Sequence, residues 1–342
     1  MRHRLGLPAA IAGLGLILAA GLAACGGENA VDDSKLVIYS GRQEDLVGPL
    51  IERFEESTGI ETSVRYGNTA QLAAQILEEG DRTPADVYFS QDGGALGALA
   101  KGERLARLSQ GVLDRIPERY RSADGTWIGT SGRARVIVYD PDQLSPDEIP
   151  DSVMELTDPR WTGKIGISPS NASFEAFVTA MRVMEGEDVT REWLEGIKAN
   201  DVQTFDNNIL VLNAAEDGLI ALGLINHYYW YEQVAEEGLE AVPARLKFLD
   251  NEDPGALVNV AGAGVLRGAD HAGEARKFVD FLVSPQAQRY FATETKEYPL
   301  IEGVPAVEDL PPLDSLNSPD IDLSDLDTLE HTLRMIEDAG LT

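Results

Sequence analysis

Cysteine is nearly absent from this chain: Cys25 is the only one in 342 residues, so no internal disulfide can form, and cysteine-based catalysis or a cysteine metal cluster is excluded. Histidine is almost as scarce, with four copies, of which His3 lies in the opening segment. No Gly-x-Ser-x-Gly elbow, His-Glu-x-x-His helix or Gly-x-x-x-x-Gly-Lys-Ser/Thr loop occurs, so a secreted hydrolase has no motif behind it and the expectation is not an enzyme. Positive charge is in short supply too. The 28 Lys and Arg face 58 Asp and Glu, and a formal charge of -30 repels phosphate backbones, which excludes nucleic acid as a partner. The acids are spread along the chain, as in Glu52, Glu55, Glu56, Glu78 and Glu79, in the manner of a solvated surface. What remains is ordinary: 43% hydrophobic and 25% charged residues suit a soluble globular body, and the length suits two domains.

The chain opens differently from that body. Arg2 and Arg4 precede an apolar Ala/Leu/Ile/Gly run, and Leu22-Ala23-Ala24-Cys25 resembles a bacterial lipobox. Residues 1–24 are therefore expected to be an export signal, Cys25 the lipidated residue, and residues 25–34 a polar tether to an extracytoplasmic, membrane-anchored domain.

Beyond the tether, strand and helix patterns alternate. Leu36–Ser40, Ile60–Tyr66 and Ala85–Phe89 read as strands, separated by helices at Leu46–Phe54, with Pro49 early, and Thr69–Leu77, and followed by Gly94–Lys101. Arg133–Tyr139 is a crossover strand, after which a second series begins with Lys164–Ile167, Phe174–Met184, a helix capped by Thr190, Asn208–Glu216 and Leu219–Ile225. Leu257–Leu266, Ala272–Leu282 and a closing helix over Leu326–Ala339 complete the pattern. The expected fold class is α/β, two lobes joined by crossing β-strands with a ligand cleft between them. Residues 35–133 plus 262–308 would form lobe 1, and 134–261 plus 309–342 lobe 2.

Four loops at strand ends carry the informative residues: Gly41-Arg42-Gln43, Ser90-Gln91-Asp92, Ser168–Ser173 and Tyr228-Tyr229. Phenolate oxygen is a hard donor suited to ferric iron, and two adjacent tyrosines can address one ion only where the backbone bends between elements. An aromatic pair lining an apolar cleft is the competing reading. His227 is expected to point away from the pair, and Asp86 and Asp92 to cap turns.

Taken in order, Tyr39-Ser40-Gly41-Arg42, Thr83-Pro84-Ala85-Asp86-Val87, Ser131-Gly132-Arg133-Ala134-Arg135-Val136, Gly163-Lys164-Ile165-Gly166, Ile225 to Tyr231, Asp253-Pro254-Gly255-Ala256-Leu257 and Glu297-Tyr298-Pro299-Leu300 resemble the bacterial periplasmic ferric-iron-binding family, often called bacterial transferrins. The resemblance runs from Leu36 to Leu341 and implies a periplasmic-binding-protein fold of type II character and delivery of iron to an ABC-transporter permease, by a protein expected to be monomeric. It implies Fe3+ bound by Tyr228 and Tyr229, with carbonate, bicarbonate or phosphate as a synergistic anion. Relatives place a histidine and a glutamate where this chain has Gln43 and Gln91, both poor donors to a trivalent cation, and some place further tyrosines at the positions of Phe174 and Glu44. Gln43, Glu44 and Gln91 are thus secondary metal candidates, and the anion must do more of the coordination. Its expected holders are Arg42 and Arg133, whose planar guanidiniums grip oxyanions, Ser170, Asn171, Ala172 and Ser173 at a helix start, and Asn208 and Asn226. The alternative function is a binding protein of the same fold for an organic anion, phosphonate or polyamine.

Overall fold

The computed structural model describes residues 31–249 and 253–342; the expected export signal, Cys25 and the expected tether up to Ala30 lie outside the described residues. Leu36–Ser40 is apolar almost throughout and buried on both faces, the pattern of a central parallel strand, and forms β1. It is followed by α1 (Glu44–Thr58), β2 (Thr62–Tyr66), α2 (Thr69–Glu79), β3 (Val87–Ser90), α3 (Gly93–Lys101) and a short α4 (Gln110–Leu113). β2 and β3 flank β1 in parallel, paired at Leu36↔Thr62 and Ile38↔Val87. The thirteen-residue β4 (Trp127–Tyr139) then crosses the molecule. A second α/β series follows: β5 (Ile165–Ile167), α5 (Ala172–Glu185), α6 (Glu187–Ala199), β6 (Gln203–Thr204), α7 (Asn208–Glu216), β7 (Leu222–Asn226), α8 (His227–Glu237) and β8 (Arg245–Phe248). The return strand β9 (Val258–Val265) leads to α9 (Ala272–Leu282), α10 (Pro285–Thr293) and finally α11 (Leu329–Asp338).

β4 joins the two series. From Trp127 to Ala134 it pairs antiparallel with β9, which pairs with β3; from Arg135 or Val136 to Tyr139 it pairs with β7 on one side and β8 on the other. Among the described residues the strand path is β2-β1-β3-β9-β4-β7-β5-β6, with β8 beside β4. One core gathers Ile38, Phe54, Phe89 and Phe278, with the Phe54 and Phe278 rings edge to face at 5.0 Å. Another gathers Phe174, Phe177 and Trp193, and a smaller one Val136, Val211 and Ile225.

The structure corrects several local expectations. β4 begins at Trp127, six residues before the expected Arg133, because the glycines at 129 and 132 that dilute its pattern sit where neighbouring chains press close. Thr190 does not cap a helix: it lies inside α6, buried, and its hydroxyl donates to the Gly186 carbonyl at 2.9 Å. Pro49 falls in the second turn of α1, on the exposed face, not in the first. Residues 309–327 were expected with the second lobe, yet Leu310, Leu316, Leu323 and Leu326 pack into the first core, and only Met335, Ile336 and Leu341 enter the second. Glycine permits that route: a Cβ at Gly94 or Gly97 of α3 would lie 2.4 or 2.3 Å from the carbonyl oxygens of Leu326 and Ser324.

Candidate metal and anion site

β7 delivers the tyrosines. Its last residue, Asn226, is extended at φ -88° and ψ 147°, and the chain turns at once into α8, so Tyr228 and Tyr229 stand in the first helical turn with ring centroids 4.2 Å apart. Tyr228 is 3% exposed and Tyr229 half-buried. Burial, with the neighbouring Tyr229 second, raises the Tyr228 hydroxyl well above its ordinary range, while Arg133 opposes the shift.

His227 holds this turn in place. It is fully buried; its Nδ1 accepts from the Ala134 amide of β4 at 3.1 Å, and its Nε2 lies 3.0 Å from the Lys296 carbonyl. An amide donor on one nitrogen and a carbonyl acceptor at the other put the proton on Nε2, and burial drives the pKa down to about 4, so the ring is a neutral bolt between three segments.

Alternation along β4 puts Ser131, Arg133 and Arg135 on one face, towards the tyrosines. Arg133 is 2% exposed and donates from Nη2 to the Gln91 carbonyl, while its Nε and Nη1 have no hydrogen-bond partner among the described residues. Arg135, missing from the sequence-based site, donates to Ser173 Oγ at 3.1 Å and the Leu224 carbonyl at 3.0 Å, and its Nε has no hydrogen-bond partner among the described residues. Burial pulls its guanidinium down to about 9, and Tyr229 and Tyr228 oppose that shift. Arg42, 1% exposed, donates to Gln91 Oε1 at 3.2 Å and to Glu297 Oε2 at 3.0 Å. Glu297 also accepts from Ser131 Oγ at 2.8 Å and Thr295 Oγ1 at 3.1 Å, and its Oε1 is 3.9 Å from Arg133 Nε. A buried Arg–Glu–Arg group thus underlies the tyrosines, and neither Arg42 nor Arg133 is a surface ion pair. Burial, then the nearby Arg42, lower the Arg133 guanidinium below its usual value.

The anion loop lies on the other side of Arg135. Asn171 caps α5, accepting from the Ser173 amide at 3.0 Å and Ser173 Oγ at 2.6 Å, and Asn208 Nδ2 donates to the same Oγ at 3.2 Å. Asn208 Oδ1 and Ser168 Oγ are buried without partners among the described residues. Ser170 is exposed, Ala172 half-buried at the first position of α5, and Asn226 is 4% exposed opposite Arg135 in the β4–β7 ladder. Gln43 and Glu44 are exposed at the start of α1, whereas the side-chain oxygen of Gln91 is turned to Arg42. Asp92 caps α3 through the Ala95 amide at 2.9 Å as expected, but Asp86 caps no turn: it ties distant segments together, accepting from the Val37 amide at 2.9 Å and the His271 amide at 2.9 Å. Phe174 is fully buried, 5.8 Å from the ring of Phe177, so that position belongs to the core here. Two half-buried acids complete the surroundings. Burial and Asp92 push Glu175 up to about 7, and burial and Glu297 push Glu232 up to about 8.

The strand path, the two series joined by β4 and the buried polar group at their strand ends define a two-lobed α/β binding protein. Residues 82–325 match the family model of bacterial extracellular solute-binding protein, and the chain belongs to that family. It is 34% identical over 311 residues to the major ferric iron-binding protein of Neisseria meningitidis serogroup B, covering 90% of this chain and 93% of that one. The crystal structure of iron-bound HitA from Pseudomonas aeruginosa superimposes with a TM-score of 0.84 at 35% identity, covering 90% of this chain and 99% of that one. A Trichodesmium protein, IdiA (FutA), in complex with iron and citrate ligands matches with a TM-score of 0.77 at 28% identity, covering 90% and 100%.

Proposed function

We propose that this protein captures ferric iron together with a small oxyanion and hands it to an ABC-transporter permease. The carrying observation is the tyrosine pair, 4.2 Å between ring centroids, set against buried guanidiniums of which Arg133 Nε and Nη1 and Arg135 Nε have no hydrogen-bond partner among the described residues. Among the described residues no three His, Cys, Asp or Glu side chains converge on a possible metal position, and the phenolates are hard donors suited to ferric iron. The relatives named as ferric-iron binders support the same cargo.

Charge supports the anion. Arg42 and Arg133 share the fully buried carboxylate of Glu297, with buried Asp92 also acting on Arg133; Arg135 has no acidic partner among the described residues, and Fe3+ on two phenolates adds one further positive charge. Buried positive charge in excess calls for an oxyanion, and carbonate, bicarbonate or phosphate would fit the Arg133 and Arg135 N–H groups that have no partner among the described residues, with Asn208 and the α5 start. Cys25 would anchor the protein outside the cytoplasm by lipid after removal of residues 1–24, and the monomer's two lobes, with residues 309–327 counted in the first, would close on the cargo. The guanidinium cluster alone also favours a second reading, an organic anion or phosphonate without metal. Ferric titration of the purified protein, with and without carbonate, separates the two: phenolate-to-iron charge transfer colours the first complex, and the second stays colourless.

A further inference from the structure

We propose that Glu232 is a third protein ligand to the captured ferric ion, supplying the carboxylate that Gln43 and Gln91 do not. This rests on the reading that Tyr228 and Tyr229 bind iron. Residues 228, 229 and 232 share one face of α8, four and three residues apart. Helical side chains lean towards the helix N-terminus, which brings the Glu232 carboxylate back over the turn that carries the tyrosines.

Its surroundings single it out among the acids of α8. Glu236 and Glu237 are exposed, whereas Glu232 is half-buried beside Arg42, Lys296 and Glu297, which belong to other elements. Arg42 is the obvious counter-ion, but its terminal nitrogens are committed to Glu297 and Gln91. Glu232 itself has no hydrogen bond or ion pair among the described residues. Burial and the Glu297 charge push its carboxyl up to about 8. A half-buried acid without a partner is stabilised by an arriving cation, and carboxylate with phenolate makes an all-oxygen, hard donor set. Two phenolates and one carboxylate also cancel the three charges of the ion, leaving the guanidinium excess for the oxyanion.

The test is Glu232→Gln, with Glu236→Gln as the exposed control on the same helix. Glutamine mimics the protonated acid, so the metal-free variant should melt with the wild type. Ferric affinity, measured by competition with a soluble chelator, should fall at least about tenfold. The charge-transfer band should move to longer wavelength, because iron that has lost an anionic donor accepts phenolate electrons more readily; Glu236→Gln should change neither. A coloured wild type with Glu232→Gln matching it in affinity and band position overturns the ligand assignment alone. A colourless ferric wild type overturns the tyrosine reading beneath it.

Discussion

Replacing Glu297 with glutamine perturbs the site at its foundation. The carboxylate is 1% exposed and takes hydrogen bonds from Arg42 at 3.0 Å, Ser131 at 2.8 Å and Thr295 at 3.1 Å. Its removal leaves Arg42 and Arg133 as buried neighbouring charges of one sign. Losing one partner of a buried ion pair costs ~3–5 kcal/mol, and the amide oxygen can retain part of the hydrogen bonding, so a loss of about 3 kcal/mol is expected. At ~2–4 °C per kcal/mol for a chain of this size, that lowers the melting temperature by roughly 6–12 °C. Adding Arg42→Met removes one of the stranded charges, so the double variant should lose much less than the two single losses combined. Phosphate should raise the melting temperature of Glu297→Gln more than that of the wild type, because an oxyanion can replace the missing charge. Thermal melts of the four metal-free proteins, with and without phosphate, measure all of this. A Glu297→Gln protein melting within about 2 °C of wild type, or strict additivity with Arg42→Met, would refute the charge argument.

His227 makes stability depend on pH with a defined sign. In the unfolded chain it takes up a proton near 6.5, but in the folded protein burial delays this to about 4, so stability falls as the pH drops through that window. The loss attributable to this residue reaches ~3 kcal/mol at the lower end. His227→Gln should flatten the decline between pH 6.5 and 4 in urea melts of the metal-free protein, and an unchanged pH profile would contradict the neutral-bolt assignment. Phe174→Tyr tests whether that position belongs to the core: a hydroxyl added to a ring packed on Phe177 and Trp193, with the Arg135 guanidinium 5.7 Å from its centroid, should cost ~1–3 kcal/mol and leave ferric affinity unchanged. Tighter iron binding by this variant would show that the side chain reaches the metal.

The alternation of strand and helix was legible because each strand carries its own apolar run, and the placing of Tyr228 and Tyr229 at a strand end followed from it. Arg135 was missed although its signal was present: it follows Arg133 by two residues in the same strand and therefore shares its face. Glu297 stood in the sequence only as part of the Glu297-Tyr298-Pro299-Leu300 marker with no role attached, and Glu232 gave no signal. One reaches the site from a loop 164 residues beyond Arg133 and the other only through a helix face, so tertiary contact determines their role. The boundary near residue 309 was misjudged for a related reason, since the proline- and aspartate-rich passage contacts the first core through isolated leucines and a glycine-lined helix face that leave no periodic pattern. Phe174 shows the limit of position matching: the same place in a helix can point at a core or a cleft, and in this chain Trp193 and Phe177 occupy its surroundings.

The central claim is that two neighbouring phenolates take the iron, and ferric titration of the wild type beside the Tyr228→Phe, Tyr229→Phe double variant tests it most directly. In carbonate buffer the wild type should bind one equivalent and develop a visible charge-transfer band that fades in acid as protons reclaim the phenolates. The double variant should fold, stay colourless and lose high-affinity binding. Ferric binding of wild-type strength by the double variant, or a colourless wild-type complex, would contradict the account.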